Sequence, residues 1–197
     1  MGSSPPPGDI GIVSARTGSG YIGFVDLQVN FFGPNGWMRG FFASWCGSKN
    51  FLFLRTDFYE PDGTVIGFYG GDLCLSPTFY PHSTHFIIDS SINLVDKFAI
   101  AGGTSGASLL YGGGYAKAII NTTLDGGHPH QTYFGYIDNG LFSGNRFTRA
   151  CFGGSFLRVT GSNLEQYPTK NLYVADNYFG GWIDPYDCKT LNGGVNC

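Results

Sequence analysis

The chain has 197 residues, enough for one domain with a substantial core, and combines 32 Gly and 17% aromatic residues with only 13% charged residues, about half the usual charged share. Few charges with many aromatics exclude a disordered chain. A net charge of −3 offers no basic stripe for phosphates, and no apolar run reaches the ~20 residues of a membrane helix, so neither nucleic acid nor a membrane span is expected.

Residues 1–9 carry three consecutive prolines and no apolar signal core, and read as a disordered or appended N-terminal segment; Pro6 also breaks the myristoylation pattern. Residues 10–197 read as a single domain. Along it, runs of β-formers alternate with turn signals: Ile10–Ala15, Tyr21–Phe32, Met38–Trp45, Phe51–Tyr59, Val65–Leu73, His85–Asp89, Phe98–Ala101, Tyr115–Thr123, Gln131–Ile137, Ser155–Thr160 and Leu172–Ala175. Gly33 to Gly36, Pro61 to Gly63, Asp125 to Gly127 and Asp138 to Gly140 have the chemistry of tight turns, the last two as hairpins. No capped helical period and no internal repeat stands out, so the expected class is all-β. Gly18, Gly20 and Gly23 fit a dinucleotide fingerprint literally, but a strand follows them where a helix is required.

Cys46, Cys74, Cys151, Cys188 and Cys197 lack the paired spacing of a zinc cluster and read as disulfide candidates with open connectivity. Together with the sequon at Asn121 they favour a secretory or extracellular origin, the signal peptide being absent from this chain. His82 and His85, and His128 and His130, form close pairs without a convergent third ligand, so no metal and no other cofactor is expected.

The stretch FAIAGGTSGASLLYGGGYA, Phe98 to Ala116, resembles a signature of the dirigent and allene oxide cyclase-like barrels, in which Gly-Gly-Thr precedes a short arm and Gly-Tyr-Ala opens the next strand. The resemblance implies a single antiparallel β-barrel of about eight strands, assembled as a dimer or trimer, whose cavity directs cyclisation of a small hydrophobic molecule. The Arg and Asp that plant dirigent proteins carry near this motif are absent: Gly113 stands at the first position, and Ser105, Ala107 and Ser108 lie near the second. The implied activity is therefore closer to that of fungal pericyclases: a cofactor-free cyclase of secondary metabolism performing a hetero-Diels–Alder closure through a quinone methide on a terpenoid or phenolic substrate.

Strict alternation along Phe51–Tyr59 puts Phe51, Phe53, Arg55, Asp57 and Tyr59 on one face, with aromatic walls, a cation, a carboxyl and a phenol. Arg55 and Asp57 are the catalytic candidates, and His85, at a strand start, is a third acid or base. On Tyr21–Phe32 the mixed face carries Asp26 and Gln28. If Asn121 faces outward, Ala116 and Ala118 face inward and leave room for a ligand. Tyr69 with Asp72, and Tyr133 with Tyr136, complete the expected pocket. The alternative is a secreted binding module without catalysis, for a glycan or a small hydrophobic ligand, with Trp37, Trp45 and Trp182 available to stack on sugars.

Overall fold

A computed structural model describes residues 13–15, 20–30, 42–44, 50–59, 66–68, 84–93, 110–114, 116–126, 130–149, 155–159 and 169–181. In chain order these form β1 (Val13–Ala15), β2 (Ile22–Asn30), β3 (Phe42–Ser44), β4 (Asn50–Tyr59), β5 (Ile66–Phe68), β6 (Thr84–Ile88), β7 (Ser91–Asn93) and β8 (Leu110–Gly114). Then follow β9 (Ala116–Ile120), β10 (Thr123–Asp125), β11 (His130–Ser143), β12 (Arg146–Thr148), β13 (Ser155–Val159), β14 (Lys170–Ala175) and β15 (Tyr178–Gly180). Among the described residues there is no helix, and none long and apolar enough to cross a membrane.

Every strand pairing among these residues is parallel, and the registers sort the strands into three stacks. The first holds β1, β3, β5, β8, the start of β11, and β13. The second holds β2, β4, β6, β9, the end of β11, and β14. The third holds the ends of β2 and β4, then β7, β10, β12 and β15. The chain visits the stacks in this order six times. It is a parallel coil, each circuit laid on the one before, with rows ~4.8 Å apart.

One nine-residue pattern recurs in register in all six coils: 22–30, 51–59, 85–93, 117–125, 140–148 and 172–180. Positions one and three point inward, as with Phe51, Phe53, Ile87, Ile119 and Phe142, all at most 4% exposed. Position five turns the corner from the second stack to the third. Its occupants are Asp26, Arg55, Asp89, Asn121, Gly144 and Asp176, all with φ between 48° and 68°. Asp, Asn and Gly enter this left-handed region at least cost, and five of the six are of these types. Gly144 has a second reason to lack a side chain, because the Asn121 carboxamide occupies the space a Cβ would take.

The corner resets the strand alternation. Positions four and five both point outward, after which six and eight point inward: Thr56, Phe58, Ile92, Thr122, Leu124 and Phe147 are all fully buried. In five of the six coils, Leu27 of the first being the exception, position six carries a polar side chain, and these satisfy backbone groups turned inward by the corner. Thr56 Oγ1 and Ser90 Oγ bond at 3.1 Å. Asn145 Oδ1 accepts the Thr122 N–H at 2.9 Å, and Asn145 Nδ2 donates to the Ile119 carbonyl at 2.7 Å. The Asn145 N–H donates to Asn177 Oδ1 at 2.9 Å, carrying the ladder to the last coil. Inside, like rings stack on like: Phe24 on Phe53 and Phe147 on Phe179, each at 4.9 Å between centroids. Each such pair adds ~0.5–1.5 kcal/mol beyond its burial.

These registers overturn the antiparallel barrel. The sheet system is parallel and does not close on itself. The physical reason is turn length: paired positions lie a full circuit apart, as Phe53 and Ile87 or Ile119 and Phe142 do, not across two-residue hairpins. Asp138 to Gly140 is accordingly no hairpin but a corner within β11, with Asn139 at φ 71°. The expected faces change as well. Phe51 and Phe53 are interior while Arg55, Asp57 and Tyr59 point outward, because the reset at Arg55 breaks strict alternation. In β9 it is Lys117 and Ile119 that point inward, at 3% and 2% exposure, and not the alanines.

Replacing Asn145 by Ala strands a buried N–H and a buried carbonyl, and should cost ~2–4 kcal/mol in a denaturant titration. Asn171→Ala, at an exposed corner where among the described residues the amide bonds Asn139 alone, should cost under ~0.5 kcal/mol.

Candidate functional site: the polar face of the third stack

The coil pattern gives the two outward faces opposite characters. On the second stack, outward positions are mostly apolar, including Leu52, Leu54, Phe86, Ile88, Ile120 and Leu141. On the third stack they are almost entirely polar. Position seven places Gln28, Asp57, Ser91, Thr123, Arg146 and Tyr178 in one row down the coil. Position nine places Asn30, Tyr59, Asn93, Asp125, Thr148 and Gly180 in a second row beside it.

Hydrogen bonds within coils and between adjacent coils fix much of this face. Ser91 Oγ donates to Asp57 Oδ1 at 2.5 Å, and Asn93 Nδ2 donates to Ser91 Oγ at 3.2 Å. Thr148 Oγ1 donates to Asp125 Oδ1 at 2.8 Å. Arg149, at the next corner with φ 53°, grips both oxygens of Asp125 from Nε at 2.6 Å and Nη2 at 2.5 Å. The Arg146 guanidinium lies 4.5 Å from the centroid of the Tyr178 ring. Side chains held this way lose little freedom when a ligand arrives.

Several sequence candidates converge here. Gln28, Asp57 and Tyr59 lie on this face, with Gln28 in register with Asp57. Asp26 and Arg55 stand at the adjoining corner, where Arg55 Nε and Nη2 donate to the Asp26 oxygens at 2.5 and 2.9 Å. That contact holds the Asp26 carboxyl below its usual range and raises the Arg55 guanidinium, first through the hydrogen bond and then through the charges. The partner of Arg55 is thus Asp26, and that of Asp57 is Ser91. The exposed pair is screened by solvent.

Other candidates lie elsewhere. Phe51 and Phe53 are core; Ala116 is half-buried at the start of β9, and Ala118 sits at an outward position with 9% exposure. Asn121 is exposed at its corner, its amide donating to Asp89 Oδ1 at 3.2 Å. The backbone of Tyr133 pairs with Tyr111 and Arg158. Tyr69, Asp72, the three tryptophans, all five cysteines and the Gly-Gly-Thr part of the motif lie outside the described residues. Gly112 to Gly114 run in β8. Among the described residues no cluster of His, Cys, Asp and Glu could hold a metal ion.

His85 occupies an inward position, 5% exposed, stacked with Phe51 at 5.5 Å. Its Nδ1 lies 2.6 Å from Lys117 Nζ in the next coil, and Lys117 also sits 5.4 Å from the Phe134 ring centroid. Burial pushes both groups well below their ordinary values, with the Lys117 charge adding to the effect on His85. Sequence alternation counted from Asn121 placed Lys117 outward and so missed this pair. Nor did it single out Ser91, Asn93, Asp125 or Arg146; only the register brings them together.

Searches of protein-family models, of curated proteins and of solved structures each found no match for the chain. None of them connects it to the dirigent-like barrels.

The buried basic pair has a pH consequence. Unfolded, His85 and Lys117 titrate near 6.5 and 10.5; folded, both bind protons less readily. The unfolded chain therefore holds more protons, and stability falls as pH drops below 10.5 for the lysine and below 6.5 for the histidine. Melting temperature should rise from pH 6 to pH 9, and Lys117→Met should flatten that rise above pH 7. A Lys117→Met profile parallel to that of the parent would refute the assignment.

Proposed function

We propose that the protein is a solenoid recognition module that binds an extended glycan along the polar face of its third stack. The reading rests on one observation: two adjacent rows of hydrogen-bonding side chains, in register over successive coils and fixed by mutual bonds, with Tyr59 and Tyr178 among them. Rows ~4.8 Å apart offer about one set of donors and acceptors per pyranose ring, and tyrosine rings supply stacking surface with few torsions to freeze. The cyclase expectation drew its support from a barrel lumen. Phe51 and Phe53, its supposed walls, are packed core, so the support that remains is for binding. Passage through the secretory pathway belongs to the same proposal, with the exposed Asn121 as glycan acceptor.

A glycan array followed by calorimetry tests the reading. Asp57→Ala and Tyr59→Ala should each weaken the bound glycan by about tenfold, equivalent to ~1.4 kcal/mol. Leu141→Ser, on the apolar face of the second stack, should leave affinity unchanged. An empty array, or equal loss in all three variants, would refute it.

A further inference from the structure

Building on the glycan reading, we infer that the saccharide is anionic and that Arg146 receives its acid group. Arg55, Arg149 and Lys170 each hold a carboxylate, from Asp26, Asp125 and Asp138 respectively. Arg146 is exposed, and what it touches is a ring: its guanidinium lies on Tyr178, 4.5 Å from the centroid. A cation–π contact engages the guanidinium's charge and consumes none of its N–H donors, which can meet a carboxylate or sulfate in the paired geometry such anions prefer.

The platform under Arg146 is built by a glycine. The hydroxyl end of the Tyr178 ring crosses Gly180 so closely that a Cβ there would lie 2.6 Å from the Tyr178 oxygen and 2.7 Å from Cζ. Only a residue without a side chain lets the ring lie where it supports Arg146. Thr123 is in register with Arg146 in the coil on its other side.

Within the two outward rows of the third stack, the carboxylates permit an anion beside Arg146. Asp125 is already gripped by Arg149 through two bonds. Asp57 lies three coils away, ~14 Å at the strand spacing and beyond the ~8 Å screening length at physiological salt.

Three hexasaccharides with one backbone test the inference: cellohexaose, its C6-oxidised glucuronate counterpart and its 6-sulfated counterpart. At least one anionic hexamer should bind about tenfold more tightly than the neutral one, and which one does identifies carboxylate or sulfate as the group received. Arg146→Gln should erase the preference, bringing the anionic hexamers to the affinity that the same variant shows for cellohexaose. Gly180→Ala should reduce the preference while Arg146 and Tyr178 are both still present, a ratio that a general loss of stability would not move. Equal affinity for all three hexamers, or a preference that survives Arg146→Gln, would overturn the inference and leave the glycan reading standing. Failure of all three to bind would overturn the inference, whereas an empty glycan array overturns the glycan reading itself.

Discussion

The architecture depends on the residue at position five of each coil, held in the left-handed region of backbone space. Between positions four and six each circuit must turn a corner without leaving its interior column empty, and one positive-φ residue does both at once. It bends the chain and shifts the phase of side-chain alternation. Because all six corners lie in register, backbone bonds continue through them: Asp89 N–H reaches the Ile120 carbonyl and Asn121 N–H the Ser143 carbonyl, both at 3.0 Å. The inward-turned peptide groups beside the corners require polar partners, and Thr56, Ser90, Thr122, Asn145 and Asn177 form that interior ladder. The same reset sends Arg55, Asp57 and Tyr59 out to solvent and so creates the polar face.

Most strands were legible in the sequence. Tyr21–Phe32, Phe51–Tyr59, His85–Asp89 and Leu172–Ala175 contain or border real strands, and the all-β class holds for the described residues. Their arrangement was not legible, for a definite reason. Parallel and antiparallel strands share the same alternation, so direction has to be read from what separates partners. The repeat that encodes it is present: Phe53 to Tyr59, Ile87 to Asn93, Ile119 to Asp125 and Phe142 to Thr148 each place an apolar residue, a corner residue, a Thr, Ser or Asn, and a second apolar residue at fixed offsets. A search at one fixed period misses it because the loops between coils differ in length. Short strands such as β12 and β15 escaped for the same reason, since three residues carry no period of their own.

The candidate site was legible in part. Asp57, Tyr59 and Gln28, which the sequence offered as site residues, share the polar outward face of the third stack, an open surface and not the cavity they were assigned to. His85 was read as a general acid or base at a strand start, yet it lies against a buried lysine contributed by the next coil, and no feature of its own strand could reveal that. The contrast between an apolar second face and a polar third face appears only once the coils are aligned. The proposed recognition on the third stack rests on this contrast, and the Arg146, Tyr178 and Gly180 cluster belongs to that polar face.

The most direct test of the whole account is the distance between Gln28 and Tyr178, which share an outward position in the first and last described coils. With a spin label at each, pulsed electron resonance should report ~24 Å, five rows at the strand spacing. Moving the second label to Arg146 should shorten that by about one row. A separation of ~10 Å or less, as when the first and last strands of a closed barrel pair, would contradict the parallel coil and everything built on it.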